Sequence, residues 1–84
     1  MKLFHVSQSI NGDYDTYSDF VVCCKDEKTA RFTHPSGTKD WNGKKWGDWD
    51  FHDWCAPKHV KVTYIGEAEK GLQEGVICDS FHAG

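Results

Sequence analysis

Phe20-Val21-Val22-Cys23-Cys24 is the run from which the rest of the chain can be placed. Five consecutive apolar residues, bounded by Asp19 on one side and Lys25-Asp26 on the other, have the length of a strand and no polar face. A strand that is apolar on both faces belongs in the middle of a sheet, so Asp19 to Lys25 is read as a central strand. Its neighbouring cysteines then point to opposite faces, where each behaves as a small hydrophobe.

Upstream, Lys2 to Gln8 alternates, with Leu3, His5 and Ser7 on one face and Phe4 and Val6 on the other. It ends at Ser9-Ile10-Asn11-Gly12-Asp13, where Asn-Gly is a turn signal. Downstream, Asp26 has the side chain of an N-cap and Glu27 suits the first turn of a helix. Ala30, Arg31 and Phe32 follow, and the residue before Pro35 avoids the helical region, which predicts a helix of about two to three turns. His59 to Ile65 alternates again, with Val60, Val62 and Tyr64 on one face. Gly66 to Gly75 reads as a turn and Gly75 to Phe81 as the last strand. The expected fold is α+β: a four-stranded, mainly antiparallel sheet with one short helix, in the order β-β-α-loop-β-β. Val22, Val62 and Val76 are expected in a shared core. At 84 residues the chain has room for one domain, residues 1–84.

Between helix and third strand, Thr38 to Pro57 sustains no period and holds all four tryptophans, at 41, 46, 49 and 54. Asn42-Gly43 sits between the first two, which predicts a small hairpin with those indoles near each other. A small domain needs aromatic bulk, so two of the four tryptophans are expected in the core and the others on a surface. Lys44 and Lys45 beside Trp46, Trp49 and Trp54 make the stretch a candidate binding surface, because indoles stack on bases or fill pockets while ammonium groups meet phosphates. Tyr14-Asp15-Thr16-Tyr17 offers a second surface through Tyr14 and Tyr17.

Other chemistries are less well equipped. Ten basic residues against 13 acidic give a net charge of −3, with no basic stripe to follow a duplex backbone. No apolar run is long enough to span a bilayer, and Met1 to Val6 is too short for a signal peptide. The resulting expectation is a cytoplasmic protein, with no membrane partner and all four cysteines reduced. His52, Cys55 and His59 have spacings that zinc could use, but no paired Cys-x-x-Cys knuckle accompanies them. Asp50, Asp53, His52 and His59 could instead serve a small metal-dependent hydrolase, the alternative from a catalytic class. No nucleophile elbow, phosphate loop or His-Glu-x-x-His is present. Neither a cofactor nor a stoichiometric metal is expected, and the protein is read as a non-enzyme.

Several segments carry a resemblance. Val6-Ser7-Gln8, Tyr14-Asp15-Thr16-Tyr17, Phe20-Val21-Val22, Ala30-Arg31, His34-Pro35, Ile65-Gly66-Glu67-Ala68 and the closing Gly75-Val76-Ile77 with Ser80-Phe81-His82-Ala83-Gly84 resemble small accessory proteins of bacteriophages and prophages. The resemblance spans both ends and is weakest in the Trp-rich centre. It implies a non-catalytic protein that captures or inhibits a host component, either a host defence protein or a nucleotide-like small molecule. A structural or virion component, which would self-associate as a homo-oligomer, is the third alternative.

Overall fold

Each strand anticipated from the apolar run outward is present. The computed structural model describes residues 1–10, 16–47 and 54–82. Strands β1 (Lys2–Ser7), β2 (Thr16–Cys24), β3 (Lys61–Glu67) and β4 (Gly75–His82) form one antiparallel sheet in the order β3-β1-β2-β4. A single short helix, α1 (Glu27–Arg31), follows β2. β1 and β2 are therefore the inner pair, and β3 and β4 are the edges.

Register decides which face is dry. Phe4 lies opposite Val22, and Val6 opposite Phe20, so four large apolar side chains meet on one face. Cys24 shares that face at the end of β2, while Cys23 is buried outside the main cluster, opposite Leu3. The two thiols point to opposite sides, as consecutive strand residues must. On the edges, Val62 faces Val6 and Val76 faces Val22. Both pack against the core but stay partly exposed, so the shared core is deepest at Val22 and shallows outward. Tyr64 sets its ring edge-on to Phe4 at 5.9 Å. On the opposite face His5 Nε2 meets the Asp19 carboxylate at 2.9 Å.

Two bulges shape the edges. Leu3 pairs with Gly66 and Phe4 with Tyr64, so Ile65 is the extra residue of β3. Val21 pairs with Cys78 and Val22 with Val76, so Ile77 is the extra residue of β4. Bulges of this kind break the flat hydrogen-bonding edge that would otherwise template another strand.

The helix is shorter than its sequence signals suggest. Asp26 is the cap, accepting the Thr29 amide at 2.8 Å, but α1 runs for only five residues. Thr33 donates its hydroxyl back to the Thr29 carbonyl at 2.6 Å, and the Thr33 amide closes a tight turn on Ala30. Side-chain competition of this type, followed by His34-Pro35, stops the helix early. β3 also starts later than the alternation implies. Pro57–His59 forms one 3₁₀ turn, because proline suits the first helical position and has no amide for a ladder. Arg31 ties the two short elements together, donating to the carbonyls of Pro57 and Val60 at 3.1 Å each.

With so small a helix, the remaining cover comes from the loop. Trp54 stands edge-on to Phe20 at 5.3 Å, and Trp46, Cys55 and Val60 complete the layer. Val22, 1% exposed, sits under this cover. Its replacement by alanine is expected to cost about 1–3 kcal/mol through lost burial and a residual cavity. Val62→Ala and Val76→Ala should each cost less. Urea denaturation of the three variants measures the order, and equal losses at all three would contradict this register.

Candidate functional site

The site begins with a hairpin inside the loop. Trp41 and Trp46 form an isolated antiparallel bridge, as the Asn42-Gly43 turn predicts. Asn42 drives it: its side-chain oxygen accepts the amides of Lys44 and Lys45 at 2.9 Å each, and its own amide donates to the Lys45 carbonyl. Gly43 has φ +98°, a conformation in which a side chain would be strained. The indoles of Trp41 and Trp46 lie 5.3 Å apart between centroids.

Trp46 is anchored from below. Its indole N–H donates to the Cys55 carbonyl at 2.9 Å, and it is only 9% exposed. His34, also buried, contacts Trp46 edge-on at 5.4 Å and Tyr17 at 5.9 Å. The Ser36 amide donates to His34 Nδ1 at 3.0 Å, which holds that ring in place. Tyr17, His34, Trp46 and Trp41 thus form a continuous aromatic row from the sheet to the surface. Trp41, half-buried, is its outer member.

Beside Trp41 lies an open cleft of about 370 Å³, lined by Lys25, Asp26, Lys28, Thr29, Phe32, Lys39 and Trp41. The β2–α1 junction and the first turn of α1 supply one wall, and the chain leading into the hairpin supplies the other. Lys25 and Lys28 are exposed and have no hydrogen-bond or ion-pair partner among the described residues. Lys39 pairs with Glu74, just before β4, and holds the Glu74 carboxyl below its ordinary value. Asp26 is likewise held below its ordinary value, first by its hydrogen bond to Thr29. One of its oxygens is committed to the cap, and the cleft presents ammonium groups and aromatic side chains beside this single carboxylate.

Two of the tryptophans expected on a binding surface are buried. Trp46 and Trp54 are core residues, 9% and 3% exposed, because the sheet needs them as cover. The Trp54 indole N–H makes no hydrogen bond to a described residue, so packing alone holds that ring. Lys44 and Lys45 are exposed on the hairpin turn, away from the cleft lining. Tyr17 is half-buried against His34 rather than displayed. Trp49, Tyr14, Asp50, His52 and Asp53 lie outside the described residues. His59 is exposed in the 3₁₀ turn, and Cys55 is buried with its thiol pushed up to about 11 by desolvation. That thiol stays protonated near neutrality, which does not suit nucleophilic attack. Among the described residues no group of three or more His, Cys, Asp or Glu is gathered to hold a metal ion.

Sequence reading passed over Lys25, Lys28, Phe32 and Trp41. Lys25 precedes the Asp26 cap and Phe32 follows the last residue of α1, so no helical period joins them to Lys28. No family model, curated protein or solved structure matches this chain.

Two solution measurements follow. All four cysteines are free thiols, with Cys78 exposed and Cys23, Cys24 and Cys55 buried. Thiol labelling of the native protein is expected to modify Cys78 rapidly and the other three only after unfolding; rapid native labelling at Cys55 would contradict its burial. The carboxyls of Asp26 and Glu74 have folded-state values lowered from 3.8 and 4.5, so their stabilisation is complete above those values. It is lost as pH falls through the lowered folded values. Denaturation midpoints should therefore decline in acid, and Lys39→Ala should make the decline shallower by removing the Glu74 share. An unchanged slope would mean that the pair does not form in solution.

Proposed function

We propose that this is a non-catalytic binding protein of bacteriophage type that captures a host component, taking a nucleotide-like small molecule in the cleft beside Trp41. The observation that carries the reading is the cleft's composition: two ammonium groups unpaired among the described residues and a third shared with Glu74, set against Trp41 and Phe32. Ring stacking and charge together suit an anionic molecule with a flat ring. A volume of about 370 Å³ is of the size that small ligands occupy. The described residues supply no activated nucleophile beside it, and Asp26 is engaged in capping α1. Resemblance to phage accessory proteins supplies the setting, the cytosol of a bacterial host.

Capture of a host protein is the second reading. It is favoured by exposed Tyr64 and Ile65, neighbours on the edge strand β3, apolar surface of the kind that a partner covers. Native mass spectrometry of the full chain recovered from bacterial cells separates the two. The expected result is a bound small molecule, released by dialysis at high salt. A stoichiometric protein partner in its place supports the second reading, and a bare chain with neither rules out capture.

A further inference from the structure

We infer that the cleft selects a nucleoside monophosphate, one ring system carrying one terminal phosphate. This rests on the capture reading and names the ligand class. Size is the first argument: an open cleft of about 370 Å³ is at the low end of ligand sites and has room for one nucleotide.

The ring seat is already formed. Trp41 is backed by Trp46, whose indole N–H is tied to the Cys55 carbonyl and whose ring also meets His34. Trp41 therefore offers a held platform, and little side-chain freedom is lost when a base stacks on it. Phe32, 39% exposed, faces the same space from the end of α1.

Charge sets the phosphate count. Lys25 and Lys28 are unpaired among the described residues, whereas Lys39 is already shared with Glu74. Two ammonium groups match one terminal phosphate, which carries about −1.5 to −2 at neutral pH. A second or third phosphate would add negative charge to a cleft that Asp26, ionised at that pH, already lines and whose Lys39 is engaged by the Glu74 carboxylate. That repulsion disfavours a polyphosphate tail. The helix itself adds nothing to this preference: α1 has five residues, and its Thr29 amide already donates to Asp26.

The same chemistry exists at the 5′ end of a single strand, and the experiment distinguishes the two sources. The full chain is titrated near neutral pH with AMP and GMP, with adenosine, inorganic phosphate and ATP for comparison, and with a 5′-phosphorylated oligonucleotide. Tryptophan emission reports binding. A monophosphate is expected to bind at least about tenfold tighter than adenosine, inorganic phosphate or ATP, the factor that a single stacked base or matched charge supplies. The oligonucleotide should bind no tighter than AMP. Lys25→Ala and Lys28→Ala should each weaken AMP about threefold or more, as loss of one phosphate contact does, and steepen no salt dependence. Trp41→Ala should abolish the quench, while Trp41→Phe keeps a ring on the hairpin and retains binding with reduced quenching. Equal affinity for AMP and ATP, a preference for the oligonucleotide, or indifference to both lysine changes would overturn the inference. If no monophosphate binds but the chain recovered from cells holds another ligand or a protein, this inference fails and capture stands. If the recovered chain is bare as well, both fail.

Discussion

A four-stranded sheet must dry one apolar face, and a five-residue helix cannot cover it. Phe4, Val6, Phe20 and Val22 present that face, and α1 buries only Ala30 against it. The deficit is met by aromatic side chains from a loop. An indole buries about 150–250 Å², or about 4–6 kcal/mol of transfer free energy at 25 cal/mol per Å² before the entropy of ordering the loop is subtracted. Trp46 and Trp54 thus act as the missing second layer, and the Trp46 N–H bond to the Cys55 carbonyl joins two parts of the loop across that layer.

This use of tryptophan has a consequence at the surface. Trp46 is pinned from below and contacts Trp41 above, so core packing orders the outermost indole too. The hairpin that carries Trp41 is closed locally by Asn42, and its position relative to α1 creates the cleft. The Lys39–Glu74 pair links the same region to the segment that enters β4. Cleft, hairpin and edge strand are therefore joined by contacts that a change in any one of them would disturb.

The edges of the sheet are handled by geometry rather than by cover. Ile65 and Ile77 are the extra residues of bulges in β3 and β4, and both are exposed. A bulge interrupts the even spacing of amides and carbonyls that another strand would need, so an apolar residue there is less hazardous than on a flat edge. The inner strands are paired on both sides, and the register shift at Ser18 of β2 lies against β4 rather than on an open edge.

Local chemistry made much of this fold legible. The unbroken apolar run marks β2 as an inner strand, and period-two alternation places Phe4 and Val6 on the dry face, because side chains alternate wherever a chain is extended. Asp26 as cap and Asn42-Gly43 as turn follow from side-chain hydrogen bonding and glycine's backbone freedom within a few residues. Tertiary structure decided what depends on distant partners. The order β3-β1-β2-β4 comes from long-range pairing, and the length of α1 from the Thr33–Thr29 bond and the following Pro35. The division of tryptophans is of the same kind: nothing local to Trp41, Trp46 or Trp54 states which indole a sheet some residues away will cover. The cleft could not be read as a site for the same reason. Lys25, Lys28 and Phe32 lie close in sequence around α1, but their approach to Lys39 and Trp41 is set by how the loop packs, and burial is a property of the whole assembly rather than of any segment.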